Sequence, residues 1–250
     1  MSPRPLDKQS LLVRELQIME AALSLMEEMD VTLLTMDKVV ARVPYSKGTV
    51  YSHFSCKEDL FSGLSNHALR TMIGLFQRAA EHKGSSRERF MAMQFAYLIW
   101  SLLKPTLFRA SLCVKSPSVM GKSSTERMDE HHALEQKMMT IWHRMLDDGL
   151  ADGSFILPLH MSKHQVAFTG WASGYGTIML LSDDIEQCAG RHGLYLEREY
   201  FNAVNIFLDG LNWRPLSSEV DYRHVLQRIL NERFQDELAE LEARGRRLIL

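Results

Sequence analysis

Residues 35–60 constrain the fold of this chain more than any other stretch of its sequence. They carry signals for three helices separated by very short connections. Thr35 and Ser46 are residue types favoured at helix N-caps, and Pro44 between them ends the first helix. A third helix is expected after Ser55, which opens a Ser-x-x-Glu capping box. Two short helices joined by a tight turn predict a helix-turn-helix, whose second helix can enter the major groove of DNA.

The second of these helices has side chains suited to a nucleic-acid surface. It begins with small polar residues, which let the backbone approach phosphates or base edges, and Lys47 adds a positive charge. Lys57 lies in the first turn of the next helix, where it is placed to clamp one more phosphate. The residues predicted to contact DNA are Thr35, Tyr45, Ser46, Lys47, Gly48, Thr49, Tyr51, His53 and Lys57.

The same stretch resembles the N-terminal motif of the TetR/AcrR family of bacterial transcription regulators. That motif is a Thr that opens a helix, a small-residue turn, Ser-Lys-Gly-Thr-aliphatic-Tyr, an aromatic-rich end and Lys-Glu-x-Leu. The matching residues are Thr35, residues 46–51, His53-Phe54 and residues 57–60. In the turn, Pro44 and Tyr45 stand where the family usually has Gly and then Val. Because proline cannot adopt a positive φ, we expect the turn to differ locally.

The resemblance implies an all-α protein with an N-terminal DNA-binding domain and a C-terminal domain that binds an effector and forms a homodimer. We expect a three-helix helix-turn-helix domain over residues 1–56, a connecting helix over 57–83 and a helical effector-binding and dimerisation domain over 84–250. Apolar periodicity predicts helices near residues 10–29, 57–80, 86–104, 106–114, 124–148, 160–182, 194–211 and 219–244. In the first helix, the predicted core stripe is Leu12, Leu16, Met19, Leu23 and Met26.

By position in the family, the helices at 160–182 and 194–211 would form the dimer. The first is rich in small residues and the second in aromatic ones, so close helix approach with rings filling the seam is expected. The residues assigned to this interface are Gly170, Gly174, Phe201, Val204, Phe207 and Leu208.

An apolar effector pocket is the other feature that the resemblance implies. Methionine and aromatic residues with a few polar tips can line such a cavity, and methionine adapts to varied apolar ligands. The candidate lining residues are Met91, Tyr97, Trp100, Phe108, Met138, Trp142, Phe168, Trp171 and Tyr175. A helical stripe of the same residue types is equally the composition of a packed core, and this alternative stays open.

Composition sets limits on the function. The chain has 250 residues, 46% of them apolar and 24% charged, as in a globular protein, and its net charge is −2. Residues 1–60 carry seven positive and nine negative side chains. This counts against a charge-driven, non-specific nucleic-acid binder. A sequence-specific DNA-binding protein can still have its positive side chains on the face that meets DNA.

Cysteine usage indicates the compartment. Cys56, Cys113 and Cys188 are widely spaced and contain no CxxC pair, which suits a reducing cytosol, so we expect a cytoplasmic protein. Residues 165–182 carry no charge and approach the length of a membrane span. Their glycines, serines and threonines make them weakly apolar, so we expect a buried helix and no membrane partner.

Other functional classes have little support in the sequence. His160 and His164 have the spacing of a helical zinc pair, and His131-His132 lies among acidic residues, but no third ligand is suitably placed, so no metal is expected. GxSxG, HExxH and P-loop motifs are missing, so we expect neither an enzyme nor a cofactor. The sequence favours a dimeric repressor that a small, largely apolar effector releases from a palindromic DNA operator. The alternative is a similar DNA binder controlled by a protein partner, or acting structurally, without a small-molecule ligand.

Overall fold

The computed structural model describes residues 7–182 and 189–248, apart from the side chain of Lys8. All regular structure in these residues is helical, which confirms the all-α prediction. The helices are α1 (Lys8–Glu28), α2 (Met36–Arg42), α3 (Lys47–His53), α4 (Lys57–Ala80), α5 (Ser86–Leu103), α6 (Pro105–Ser111), α7 (Pro117–Met120), α8 (Thr125–Ala151), α9 (Lys163–Leu181), α10 (Leu196–Gly210), α11 (Tyr222–Arg233) and α12 (Gln235–Ala243).

The chain divides into two compact units. The first comprises the residues up to Arg70 together with Lys104–Glu135, and the second comprises Thr71–Leu103 together with the residues from Gln136 onward. Helices α4 and α8 therefore contribute residues to both units. The division at residues 56 and 83 that the sequence suggests remains a prediction.

Helix α1 is capped by Asp7, whose carboxylate accepts the backbone N–H of Ser10 at 2.8 Å. Its buried apolar side chains begin in the middle of the helix, at Ile18. The predicted core stripe is therefore wrong at its start, because Leu12 and Leu16 are exposed. Helical periodicity indicates which face of α1 is apolar. It does not indicate how much of that face neighbouring helices cover.

The first unit has a core to which each short helix contributes. Leu34 precedes α2, Val39 lies on α2, Val50 lies on α3 and Phe54 follows α3, and all four are almost fully buried. The start of α4 differs from the expected capping box. The backbone N–H of Ser55 donates to Asp59 at 3.1 Å, while Glu58 pairs with Lys122 at 2.8 Å.

The second unit is built around α5, most of whose residues are buried. Helix α9 approaches α10 closely at two glycines. A methyl group at Gly170 would lie 3.1 Å from the Phe207 ring, and one at Gly174 would lie 2.8 Å from the Tyr200 hydroxyl. The GxxxG spacing is thus explained by packing inside this unit.

The chain after residue 219 forms two helices, where the sequence predicts one. The break is at Phe234, whose backbone leaves the helical range with φ −132° and ψ 27° while its ring is completely buried. Both helices pack on α5. Arg228 pairs with Glu88 near the start of α5, and the Arg244 side chain donates to the carbonyl of Leu103 at its end. The C-terminal helices therefore run along α5.

Candidate DNA-binding site

Helices α2 and α3 form a helix-turn-helix in which both N-termini are capped as the sequence predicts. The Thr35 hydroxyl accepts the backbone N–H of Lys38 at 3.3 Å, and the Ser46 hydroxyl accepts that of Thr49 at 3.1 Å. The hydroxyls of Ser46 and Thr49 are also 2.9 Å apart. Each cap satisfies a backbone donor that the helix leaves without a partner, which fixes the start of α3.

The turn between the two helices uses no left-handed residue. Val43 is extended, with φ −115° and ψ 153°, as expected for a residue before proline. The Tyr45 hydroxyl donates to Gln17 of α1, and the Arg14 guanidinium lies 5.3 Å from the Tyr45 ring centroid. Where the family that the sequence resembles usually has Gly and then Val, this chain has Pro44 and a tyrosine that contacts α1.

The exposed start of α3 carries the positive charge predicted to meet DNA. Lys47 is 63% exposed, and its ammonium lies 2.7 Å from the carboxylate of Asp37 on α2. It also lies 5.5 Å from the centre of the Tyr51 ring. Hydrogen bonding to Asp37 raises the pKa of Lys47, so this side chain is fully charged at neutral pH.

Gly48 is not required by the fold of the domain itself. A methyl group there would meet only the Ser46 hydroxyl, at 3.9 Å. The missing side chain therefore leaves room for a partner on the outer surface of α3.

Most of the predicted contact residues share one surface. Ser46, Lys47, Gly48 and Tyr51 are exposed along α3, with Thr49 half-buried beside them. Three further predicted contact residues lie outside this exposed surface of α3. Lys57, half-buried at the start of α4, has its ammonium 5.9 Å from the Phe61 ring centroid, and Tyr45 is held on α1. Thr35 is exposed but uses its hydroxyl as the α2 cap.

His53 lies on a different side of α3. Its side chain is only 8% exposed and faces Glu15 of α1, with 3.9 Å between Nδ1 and the carboxylate. Burial lowers the pKa of His53, and the nearby Arg14 and Arg127 add to this, while Glu15 opposes it. A neutral, buried imidazole is poorly placed for a phosphate, so the structure gives His53 a packing role.

The basic side chains near α3 form hydrogen bonds and ion pairs that the sequence does not reveal. Arg42 forms two hydrogen bonds of 2.7 Å with Glu28, and Lys38 donates to the carbonyl of Leu33 at 2.9 Å. Arg42 and Glu28 lie fourteen residues apart, too far for helical periodicity to show their contact. Arg42 is therefore ion-paired, and the Lys38 ammonium hydrogen-bonded, within the domain before DNA arrives.

The predicted effector residues are mostly interior. Phe108 belongs to the first unit and the others to the second. In the second unit, Trp142 meets Phe76 at a ring-centroid distance of 6.2 Å, and Phe76 meets Tyr97 at 6.4 Å. The Trp171 indole donates to the Tyr97 hydroxyl at 3.2 Å. Met91 and Trp100 are buried, whereas Phe168 is 57% exposed.

A very small cleft, with a cavity volume of about 10 Å³, lies between α5, α9 and α10. Its lining residues are Gln94, Gly170, Ser173, Gly174, Tyr200, Ala203, Val204 and Phe207. None of them belongs to the predicted effector set, and four were assigned to the dimer interface. Phe201 and Leu208 are also buried within the unit, so a partner could meet only the other, exposed side of these two helices.

The predicted histidine pair is not on one helix. His160 precedes α9 and has φ 66°, whereas His164 lies within it. Within residues 7–182 and 189–248, no three His, Cys, Asp or Glu side chains are grouped so as to hold a metal ion.

In that same part of the chain, no helix combines the length and apolarity needed to cross a membrane. Cys188 lies outside the described residues.

Residues 18–64 match the sequence model of a family described as bacterial regulatory proteins, tetR family. No curated protein sequence matches the chain. Among solved structures, a tetR-family regulatory protein from Rhodococcus RHA1 has a TM-score of 0.59 at 17% identity, over 79% of this chain and 96% of that one. A TetR/AcrR-family regulator from Thermobifida fusca has a TM-score of 0.59 at 21% identity, over 79% and 97%.

A third similar structure is FadR from Bacillus subtilis, solved in complex with stearoyl-CoA. Its TM-score is 0.59 at 14% identity, over 78% of this chain and 98% of that one. At these identities the solved structures show the fold, and the matched segment contains the whole helix-turn-helix. Residues 18–64 are thus similar to the DNA-binding segment of the tetR family, and together with the shared fold they support a TetR-family DNA-binding transcriptional regulator.

Proposed function

We propose that this regulator binds a palindromic operator as a homodimer and represses transcription until a small, largely apolar effector releases it. The observation that carries the proposal is the start of α3, where Lys47 and Gly48 are exposed beyond a firmly capped N-terminus. A charged, sterically open helix start suits close approach to a phosphate or a base edge.

A dimer is supported by the limited reach of one reading helix and by the exposed side of α9 and α10. A helix as short as α3 reads only a few base pairs, and two copies about 34–36 Å apart reach successive major grooves. Phe168 and Leu180 on α9, and Ile206 on α10, are large apolar side chains that face solvent. Covering them with the same helices of a second copy would remove this surface from water.

Effector control is supported by the aromatic cluster of the second unit and by the fold shared with FadR, which was solved with stearoyl-CoA. The cluster, Phe76, Tyr97, Trp142 and Trp171, offers apolar surface with hydroxyl and indole tips. Because its rings pack on one another, an effector has to separate them to bind. Release of DNA needs a coupling of about 1–3 kcal/mol between the two sites.

The test begins with selection of DNA from a random duplex library by the purified full-length chain, followed by footprinting and measurement of stoichiometry. We expect an inverted repeat with half-sites about one helical turn apart, bound by two copies. Stearoyl-CoA and a free long-chain fatty acid are then added as probes, and either is expected to lower DNA affinity. Selection of no sequence would contradict the DNA-binding assignment, and binding of a single copy to a single site would contradict the dimer.

A second candidate function keeps DNA binding but replaces the effector with a protein partner. The close ring packing around Trp142 favours it, because the aromatic cluster then serves as core. Thermal unfolding separates the two: a Tm unchanged by apolar probes, together with unchanged DNA affinity, would favour control by a protein partner.

A further inference from the structure

Arg127 lies in the first turn of α8 and reaches the end of helix α3. Its side chain is 12% exposed, and Nη2 donates to the backbone carbonyl of His53 at 2.8 Å. His53 is the last residue of α3. The final carbonyls of a helix lack partners within the helix, and a positive charge there is favourable. Arg127 therefore caps the C-terminus of the helix whose N-terminus is predicted to meet DNA.

The guanidinium also packs against the residue that follows α3. The central carbon of Arg127 lies 4.3 Å from the centre of the buried Phe54 ring. Gly63 of α4 leaves the space for this arrangement: a methyl group there would lie 2.6 Å from the Phe54 ring and 3.1 Å from Nη1 of Arg127. The guanidinium thus packs closely between the Phe54 ring and the backbone of α4.

Two carboxylates balance the charge of Arg127. Its Nη1 donates to Glu15 of α1 at 2.9 Å, and its Nε lies 3.4 Å from the buried Asp59 of α4. Asp59 in turn accepts the backbone N–H groups of Ser55 and Ser124, at 3.1 and 3.0 Å. Removing one member of such a buried charged network leaves the others without compensation.

We propose that Arg127 is a positioning residue for DNA reading. It fixes the orientation of α3 from its C-terminal end, while the Ser46 cap and the Tyr45 anchor fix the other end. DNA affinity then depends on the docking of the first turn of α8, although this turn lies more than seventy residues beyond α3 in the sequence. The proposal rests on α3 being the reading helix of the proposed function.

Arg70 provides a matched control. It donates to Glu130 through Nε at 3.1 Å and so also joins α4 to α8 in the first unit, but its contacts do not include α3. If Arg127 only held α8 against α4, loss of either arginine would have similar consequences. If Arg127 positions α3, only the loss of Arg127 should weaken DNA binding.

The experiment compares full-length wild type, Arg127→Gln and Arg70→Gln. It uses the duplex that the wild type selects, amide hydrogen exchange of the free protein, and thermal unfolding. Arg127→Gln is expected to weaken DNA binding by about tenfold or more and to speed exchange of the Phe54 amide, which bonds to Val50 at the end of α3. Arg70→Gln is expected to change neither. Arg127→Lys keeps the charge but loses the planar fork, so an intermediate loss is expected.

Wild-type affinity and exchange in folded Arg127→Gln would overturn the proposal, as would equal losses in Arg70→Gln. If Arg127→Gln does not fold, Arg127→Lys decides, and wild-type behaviour of that variant would overturn it. Exchange at Phe54 needs no DNA, so it tests the proposal even if the wild type selects no sequence. Failure of the wild type to select any DNA sequence would instead count against the proposed function.

Discussion

At the scale of single residues, the ion pair of Lys47 and Asp37 shows how the reading surface is prepared. Both side chains are well exposed, and such pairs contribute about 0–1 kcal/mol to stability. A phosphate can therefore replace Asp37 at little cost. Until then the carboxylate keeps the ammonium on the outer side of α3, so its position is set before DNA binds.

Buried histidines give the stability of the fold a defined dependence on pH. Burial lowers the pKa of both His53 and His67 from the ordinary 6.5. As the pH falls below 6.5, the unfolded chain binds protons that the native rings resist, so the free energy of unfolding decreases. The pKa of Glu135 is lowered to about 2, chiefly by its hydrogen bond with His131, so its ionised form stabilises the fold above about pH 4.5 and this stabilisation is lost as the pH falls toward 2.

Urea unfolding between pH 7 and pH 5 tests this. His53→Gln is expected to reduce the loss of stability over that interval, because the titrating ring is gone. The exposed His132 supplies the control, since His132→Gln should follow the wild-type pH dependence. A pH dependence unchanged in His53→Gln would show that the buried ring does not link folding to protons.

At the scale of elements, two glycines on α4 have opposite surroundings. Gly63 faces Phe54 and Arg127, whereas a methyl group at Gly74 would meet no atom within 4 Å. Alanine is favoured over glycine in helices by about 0.8–1.0 kcal/mol. We therefore expect Gly74→Ala to be neutral or to raise stability slightly, and Gly63→Ala to lower it by about 1–3 kcal/mol because the ring and guanidinium must move.

Denaturant unfolding of the two variants measures the difference directly. Equal stabilities would mean that the space around Gly63 adjusts without cost, and the tight packing against α3 would then be disproved.

Local signals predict the elements well where capping and periodicity decide them. The caps at Thr35 and Ser46 are confirmed, and α4 has the predicted bounds of residues 57–80. The break at Phe234 and the exposure of Leu12 were missed because both depend on which neighbouring helix covers a segment. Helical periodicity carries no information about that.

The site is predictable only in part for the same reason. The surface of α3 follows from its own sequence, but its anchors do not. From distant parts of the chain, Gln17 anchors the turn, and Arg127, paired with Glu15, holds the C-terminal end of the reading helix. The glycines of α9 suggested a dimer contact, yet their neighbours Tyr200 and Phe207 belong to the same unit.

At the scale of the whole molecule, the exposed side of α10 provides a test of dimerisation. Ile206 is 72% exposed, and Ile206→Glu places a charge in the proposed contact with a second copy. Leu159 is 84% exposed and lies outside α9 and α10, so Leu159→Glu is the matched control. Light scattering after size exclusion is expected to show monomers for Ile206→Glu and dimers for the control. If both variants are dimers, the dimer interface does not include Ile206, which would contradict the proposed contact.

The engagement of Arg42 and Lys38 within the domain predicts a limited dependence of DNA affinity on salt. The slope of log Kobs against log salt is about −0.9 for each phosphate neutralised. Because Arg42 and Lys38 are engaged within the domain, we expect a slope shallower than about −6 for the dimer. Titrations between low and physiological salt measure it, and a steeper slope would reveal phosphate contacts outside α3.

The central claim is that the start of α3 reads DNA, and footprinting of the wild type beside a Lys47→Ala, Thr49→Ala double variant tests it most directly. Lys115→Ala is the control, because Lys115 is an ion-paired, exposed lysine of the same unit that pairs with Glu135, away from α3. We predict that the double variant stays folded and leaves no footprint on the selected duplex, while the control protects it fully. A footprint unchanged in the folded double variant would contradict the claim.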